Sequence, residues 1–167
     1  MDWLPGVVVG GIIGLISALV ATEYTTCRDR QRRSTDIAKS LSSEISSNRP
    51  ILEEILGQVE RVKDEGQSAR HLVGPFIRDA HSSCVGDLAL LPKDTGVAVQ
   101  LFYGRLATIQ FIVYEGYLQQ TLLPPSEPRR PEERWQQLQD WLGQQTEKAL
   151  QVADEALAGL EKLTGRQ

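Results

Sequence analysis

Residues 37–62, IAKSLSSEISSNRPILEEILGQVERV, carry the pattern that decides the fold. Apolar side chains recur here at heptad spacing, and with Asn48 included the intervals are 4, 4, 3, 4, 3, 4 and 3 residues. The apolar members are Ile37, Leu41, Ile45, Leu52, Ile55, Val59 and Val62. A helix with such a stripe gains stability only when other helices cover it. The segment therefore predicts the first helix of a bundle.

Pro50 interrupts this seam. Proline lacks the N–H that a helix interior needs and clashes with the preceding turn. We therefore expect a kink or a restart between Ser47 and Pro50, with Asn48 available to cap the second piece. Because neither Gly nor Pro occurs between Ala21 and Pro50, the helix is expected to extend back toward the N-terminus as a stalk.

Three further helices are expected downstream. A break over residues 65–74 precedes a short helix from Pro75 to about Leu90, and the next helix begins near Pro92. The core residues expected on that helix are Val97, Leu101, Phe102, Leu106, Ile109, Ile112 or Val113, and Tyr117. A proline-rich linker, LLPPSEPRRP at residues 122–131, ends it.

The last helix begins near Glu132 and is amphipathic. Its apolar face comprises Trp135, Leu138, Leu142, Ala149, Val152, Ala156, Leu160 and Leu163. Strand signals are nearly absent from the chain. The predicted fold is therefore all-α: an antiparallel bundle over residues 37–167 with three long helices and one short one.

Residues 3–22, WLPGVVVGGIIGLISALVAT, contain no ionisable group. At about 1.5 Å per residue, a helix of this length spans the roughly 30 Å of a bilayer's hydrocarbon core. The alternative is a cleaved signal peptide, which has a basic segment before the apolar run. Only Met1 and Asp2 precede it here, and we expect residues 1–24 to be an uncleaved transmembrane anchor.

A basic juxtamembrane segment at residues 25–36 follows the expected span. Between residues 28 and 39, five basic and two acidic side chains give +3, which leaves −7 elsewhere in a chain of net charge −4. The basic ones are Arg28, Arg30, Arg32, Arg33 and Lys39. By the positive-inside rule the N-terminus lies outside and residues 23–167 are cytoplasmic. The arginines are expected to contact anionic lipid head groups, and the acidic remainder argues against a nucleic-acid partner.

Small residues form one stripe of the expected membrane helix. Gly6, Gly10, Gly14 and Ala18 recur every four residues. Such a stripe lets another helix approach closely, which is a main source of packing energy in lipid. We therefore expect a second transmembrane helix as a partner, from another copy of the chain or from a different protein.

No cluster of residues predicts a catalytic centre, a metal site or a cofactor site. His81 and Cys84 are three residues apart, but the only other histidine, His71, lies beyond the expected break, and a zinc site needs about four ligands. Glu115 lacks a second acid for paired-carboxylate chemistry. Trp135 and Trp141 on the last helix are candidate interface anchors.

Two segments resemble a diffuse group of uncharacterised bacterial single-pass membrane proteins with a short cytoplasmic helical domain. One is EISSNRPILEEI, with Glu44, Ile45, Asn48 and Leu52; the other is LPKDTGVAVQLFYGRLATI, with Leu91, Pro92, Phe102, Tyr103, Leu106 and Ile109. The resemblance implies a bacterial inner-membrane location and a helical bundle, and it implies no catalytic residue. Pro50 departs from the uninterrupted helix usual in that group.

Three functions are compatible with these features. The first is a non-catalytic, membrane-anchored accessory or scaffold subunit, which uses the glycine stripe in the bilayer and its helices in the cytoplasm. The second is a lysis or pore-type protein, since glycine-lined helices can assemble into channels. The third is a ligand-sensing bundle with a site around Tyr103, Tyr114 and Glu115.

Overall fold

A computed structural model describes the backbone of residues 4–65, 76–121 and 132–165, and the side chains of residues 17–61, 76–114 and 136–165. Nearly all of the residues in these ranges are helical, and none is in a strand. Helix α1 spans Leu4–Glu65, α2 spans Asp79–Cys84 and continues as a 3-10 helix over Val85–Leu90, α3 spans Lys93–Thr121, and α4 spans Glu132–Thr164. The predicted all-α bundle of three long helices and one short one is confirmed.

The heptad seam of α1 forms one wall of the core, as predicted. Its described members from residue 41 to residue 59 are all at most 1% exposed: Leu41, Ile45, Asn48, Leu52, Ile55 and Val59. Ile37 packs against this core and is partly buried. The side chain of Val62 lies outside the described residues.

The restart expected at residues 47–50 is wrong. Helix α1 continues through Pro50 without interruption. A proline inside a helix costs about 3 kcal/mol, but Ile45 and Leu52, on either side of it, are fully buried. Burying such side chains stabilises the fold by about 2 kcal/mol each, so packing of both turns outweighs the cost. Asn48 does not cap a new helix; its amide contacts Ile77 instead.

Helix α4 packs against α1 in the antiparallel sense. Near the middle of the bundle, Arg49 Nη1 lies 2.6 Å from Asp154 Oδ1. Nearer the end of α1, Val59 approaches Gly143, where a Cβ atom would lie 3.3 Å from the valine Cγ1. Residue numbers therefore rise along α1 as they fall along α4.

Helix α4 is also antiparallel to α3. Thr95 at the start of α3 lies against Gly159, and Arg105 farther along donates a hydrogen bond from Nη1 to Oε1 of Gln145. Helices α1 and α3 consequently run in the same direction. The segment formed by α2 and the 3-10 helix packs against α1, and the 3-10 helix also contacts α3. This segment returns the chain to the end of the bundle where α3 begins.

The short helix begins later than the sequence suggests. Its first residue is Asp79 rather than Pro75, and residues 76–78 precede it without helical structure. Its end at Leu90 agrees with the prediction. The later start leaves the backbone N–H groups of the first turn available to a side chain on α1.

Helix α3 has two apolar faces, and only one of them is in the core. Its buried face comprises Val99, Phe102, Leu106, Ile109 and Ile112, each at most 1% exposed. Val97 and Leu101, which the sequence places in the core, are 47% and 51% exposed. The spacing predicted the helix correctly, but the apolar residues of α3 lie on two faces. Helix α4 and the 3-10 helix cover only one of these faces.

Candidate functional site

A buried carboxylate on α1 organises the centre of the structure. Glu44 is 5% exposed. Its Oε2 accepts a hydrogen bond of 2.6 Å from the backbone N–H of Ala80, and its Oε1 accepts one of 3.2 Å from that of His81. These N–H groups lie in the first turn of α2 and have no partner within their own helix. Glu44 therefore caps α2 from a distant helix and joins the two.

Tyr103 on α3 completes this cluster. Its hydroxyl donates a hydrogen bond to Oε1 of Glu44, and its ring stacks on the imidazole of His81 with 3.9 Å between the ring centroids. Burial, followed by the hydrogen bond to Glu44, raises the pKa of Tyr103. The phenol thus stays protonated and serves as a donor. Helices α1, α2 and α3 all meet at one carboxylate.

Asn48, one turn after Glu44, holds the segment that precedes α2. Its Nδ2 donates to the carbonyl of Ile77 at 2.7 Å, and its Oδ1 accepts from the N–H of the same residue at 2.9 Å. Asn48 is fully buried. A polar residue in the heptad seam is explained by this pair of bonds, since a leucine there could make neither.

A shallow groove of about 280 Å³ lies beside the cluster, between α3 and the α2 segment. Its lining residues are Arg78, His81, Val85, Leu88, Gln100, Tyr103 and Gly104. Arg78 donates to Gln110 Oε1 at 3.0 Å, while its buried Nε has no hydrogen-bond partner. Among the described residues no carboxylate lies within ion-pair distance of Arg78.

Burial also shifts the pKa values of His81 and Cys84 beside this cluster. Burial lowers the pKa of His81, against a smaller opposing effect of Glu44. Burial likewise raises the pKa of the Cys84 thiol, whose Sγ lies 3.8 Å from the carbonyl of His81. A raised pKa disfavours the reactive thiolate. Within the described ranges no group of three His, Cys, Asp or Glu side chains is placed to hold a metal ion.

The sequence analysis missed this cluster as a site. Glu44 appeared only in a resemblance, Asn48 was interpreted as a seam residue and a candidate cap, and no pattern linked either of them to Tyr103. The structure does not bring together the predicted trio of Tyr103, Tyr114 and Glu115: Tyr103 is buried whereas Tyr114 is 58% exposed, about 16 Å farther along the helix axis. The side chain of Glu115 lies outside the described residues. The available signal was a single acid in a serine-rich stretch, SSEISSN.

The N-terminal part of α1 extends beyond the bundle. Every residue from Ser17 to Arg33 is exposed, and burial begins at Ser34. The exposed residues include Ala18 and the four arginines Arg28, Arg30, Arg32 and Arg33. Large apolar side chains are exposed too: Leu19 is 59%, Val20 60% and Tyr24 67% exposed. Gly6, Gly10 and Gly14 belong to the backbone of α1, but their surroundings lie outside the described residues.

Helix α4 carries two tryptophans, Trp135 and Trp141. Trp141 is 41% exposed, on the surface of α4. The side chain of Trp135 lies outside the described residues. Trp141 is therefore accessible to a partner, as an interface anchor must be.

The outward side of α3 is a second exposed apolar surface, which we call the α3 outer face. It consists of Val97, Leu101, Gly104, Thr108, Phe111 and Tyr114. Phe111 is 61% exposed, more than the other large apolar side chains of α3 between residues 93 and 114. Among the described residues, one helical stretch is long and apolar enough to cross a membrane, namely Lys93–Tyr114 of α3. Since its other face is packed in the bundle core, we interpret it as a core helix with an uncovered side.

No family model, curated protein or solved structure matches this chain.

Proposed function

We propose that this chain is a non-catalytic accessory or scaffold subunit, anchored in the bacterial cytoplasmic membrane by its first helix. The single observation that supports this most strongly is the extension of α1, one helix from Leu4 to Glu65 whose residues 17–33 are all exposed. A helix that leaves its bundle with exposed apolar side chains needs a second environment to cover them.

The sequence of that extension fits a bilayer. Its first part has no ionisable side chain between Trp3 and Thr22, and the arginines that follow are exposed where lipid head groups would contact them. Each basic residue near an anionic surface contributes about 1 kcal/mol. This arrangement supports an orientation with the N-terminus outside and the bundle in the cytoplasm.

The proposed assembly role rests on a difference between the polar groups in the interior and the apolar groups on the surface. The buried polar groups around Glu44 are engaged in joining helices, whereas most of the large apolar side chains left exposed lie on α1 and on the α3 outer face. Uncovered apolar surface is what a protein offers to partners. The glycine stripe at Gly6, Gly10 and Gly14 would supply the contact inside the bilayer.

The test is co-purification of the full chain, tagged at its C-terminus, from its own membranes in mild detergent. A partner at fixed ratio is expected, and Gly10→Leu with Gly14→Leu should release it. The matched control is Val8→Phe with Ile12→Phe, which adds bulk to the same helix away from the stripe. Unchanged association in the glycine variant, or recovery of the chain in the soluble fraction, would contradict the proposal.

A ligand-sensing bundle is a second candidate, favoured by the groove beside Arg78. Its half-buried guanidinium has an Nε without a partner, next to an apolar floor that includes Val85 and Leu88. A small carboxylate with an apolar body would suit such a groove. A thermal-shift screen of the full chain with benzoate and hexanoate tests this. Absence of a shift at millimolar concentration would remove the candidate.

A further inference from the structure

We infer that the groove between α3 and the α2 segment selects a small, soluble monocarboxylate. Arg78 binds the carboxylate, and the space beside Gly104 holds the apolar body of the ligand. This inference rests on the ligand-sensing candidate above and deepens it, because it names the residues that select the ligand and the charge that the ligand carries.

Arg78 carries a charge for which the described part of the chain provides no counter-ion. It is half-buried, its Nη2 donates to Gln110 Oε1, and its buried Nε has no hydrogen-bond partner. None of the ion pairs within the described ranges includes Arg78. An arginine taken partly out of water is usually paired, and a planar guanidinium with five N–H donors matches a carboxylate. A ligand carboxylate therefore fits this position.

The surroundings of Arg78 favour a ligand with one negative charge. Arg78 is the only cation among the residues that line the groove. His81 does not add a second one near neutral pH, because burial lowers its pKa. The charge of Glu44 acts on both His81 and Tyr103, and it repels any second negative charge placed beside them. A dicarboxylate or a phosphate would therefore leave one charge without a partner.

The rest of the groove offers apolar surface and open space. Leu88 is buried on its floor, and Val85 is 53% exposed at its rim. Gly104 lines the same groove, and a Cβ added to it would meet nothing within 4 Å. A side chain there would therefore fill the groove without clashing with the fold. The volume of about 280 Å³ lies below the usual range for drug-sized ligands, which suits an acid with a short chain or a single ring.

The position of the groove favours a soluble acid over a lipid head group. Ile77, the neighbour of Arg78, is bonded to Asn48 on α1. The part of α1 from Thr22, the last residue of the expected span, to Asn48 is about 39 Å long. Head groups extend only about 5–8 Å beyond each side of the hydrocarbon core. In the proposed orientation the groove therefore faces the cytoplasm.

The experiment is a titration of the full chain in mild detergent with benzoate and hexanoate, at about pH 7.5, above the ordinary histidine pKa. The chain has two histidines, His71 and His81. In a His71→Asn background, isotope-labelled histidine therefore gives NMR signals from His81 alone. Because His81 lines the groove, its imidazole signals should shift saturably as either acid binds. The neutral analogues benzamide and hexanamide should bind about tenfold more weakly or worse, and so should succinate and inorganic phosphate.

Two variants act on the charge of the site. Arg78→Met should lower the affinity for both acids about tenfold or more. Gln110→Glu places a carboxylate at the atom that already contacts Arg78 Nη2, and it should weaken binding similarly without changing the lining of the groove. Gln144→Glu adds the same charge on the exposed face of α4 and is the matched control, with no expected effect.

A third variant acts on the space. Gly104→Leu should fill the groove and abolish binding of both acids. Gly57→Leu, at a helical glycine of α1 that also has nothing within 4 Å, is the matched control and should bind normally. Thermal unfolding of each variant shows that it is folded.

Equal affinities for an acid and its amide, or for benzoate and phosphate, would overturn the inference. Unchanged binding in Gly104→Leu and Gln110→Glu would place the ligand elsewhere. That outcome refutes this groove but not a ligand-sensing bundle, whereas no saturable shift at millimolar concentrations refutes both. Recovery of the chain in the membrane pellet is scored separately, because it tests the anchored accessory subunit and not the groove.

Discussion

The hydroxyl of Tyr103 on α3 donates a hydrogen bond to the carboxylate of Glu44 on α1, 59 residues earlier in the chain. The same carboxylate accepts the N–H groups of Ala80 and His81. Its negative charge is stabilised by three donors and by no ion pair among the described residues. This one side chain joins α1, α2 and α3. Its removal should therefore lower the stability of the whole bundle.

Glu44→Gln is expected to lower the free energy of unfolding by about 2 kcal/mol, because a neutral amide accepts weaker hydrogen bonds and offers one acceptor oxygen instead of two. Tyr103→Phe should cost about 1 kcal/mol. Denaturant unfolding of the full chain in detergent, followed by circular dichroism, measures both. Glu161→Gln, the same change on the exposed face of α4, is the control and should have little effect.

The double variant tests whether the two groups act as a unit. Residues that share a hydrogen bond give non-additive free energies. We expect the combined loss to be smaller than the sum of the single losses by about 1 kcal/mol. Strict additivity would mean that the Tyr103 hydroxyl does not depend on Glu44.

Asn48→Leu should destabilise the fold although leucine suits a heptad seam. The substitution removes the partner of both backbone groups of Ile77, whose bonds are partly buried, and leaving such groups unpaired costs about 1 kcal/mol. The same unfolding measurement checks this. Ile51→Leu, a volume-conserving change at a partly buried neighbour, serves for comparison and should cost less than about 1.5 kcal/mol. A stabilised Asn48→Leu variant would show that the contact with Ile77 is dispensable.

Gly159→Ala should be destabilising because α4 approaches α3 closely at this position. A Cβ atom there would lie 2.6 Å from Oγ1 and 3.0 Å from Cγ2 of Thr95. Overpacking of this kind costs about 1–3 kcal/mol, more than the roughly 1 kcal/mol that alanine gains as a helix former. The midpoint of thermal unfolding reports the change.

Two further variants identify the cause. Adding Thr95→Ala to Gly159→Ala removes the two closest atoms and should restore most of the lost stability. Gly57→Ala changes a helical glycine where nothing lies within 4 Å, and it should be neutral or stabilising. If Gly57→Ala and Gly159→Ala behaved alike, close packing of α3 on α4 would be ruled out as the explanation.

Acidification should weaken the fold through His81. Its pKa is lowered in the native state by burial and by Arg78, with Glu44 opposing, so the unfolded chain binds the proton more readily. Stability is therefore full above the ordinary histidine pKa of about 6.5 and is lost as the pH falls from there through the lowered native pKa. The free energy of unfolding between pH 5 and 8 measures this slope.

Two variants show whether His81 causes this change of the free energy of unfolding with pH. In a His71→Asn background His81 is the remaining histidine, and His81→Phe in that background keeps a ring to stack on Tyr103. Loss of the slope between about pH 5 and 6.5 is expected only with His81→Phe. A slope that persists in this variant would belong to carboxylates instead.

Helical periodicity predicted the bundle because local spacing determines which face of a helix is apolar. It could not decide which of two apolar faces of α3 is covered, and it therefore placed Val97 and Leu101 in the core. The restart at Pro50 was predicted from the local cost of proline inside a helix. Burial of Ile45 and Leu52 outweighs that cost. The bond between Glu44 and Tyr103 joins residues far apart in sequence, and no local pattern encodes which partner a buried carboxylate meets.

The unbroken course of α1 couples rotation at one end of the chain to rotation at the other. A continuous helix advances by about 100° and 1.5 Å per residue, and every residue between Ser17 and Arg33 is exposed. One residue inserted there would turn the α3 outer face by more than a quarter of a circle about the axis of α1. Seven inserted residues, close to two turns, would restore the orientation of the α3 outer face. They would also move the bundle by about 10 Å along the axis of α1. The length of this segment thus determines the direction in which the α3 outer face points about the axis of α1.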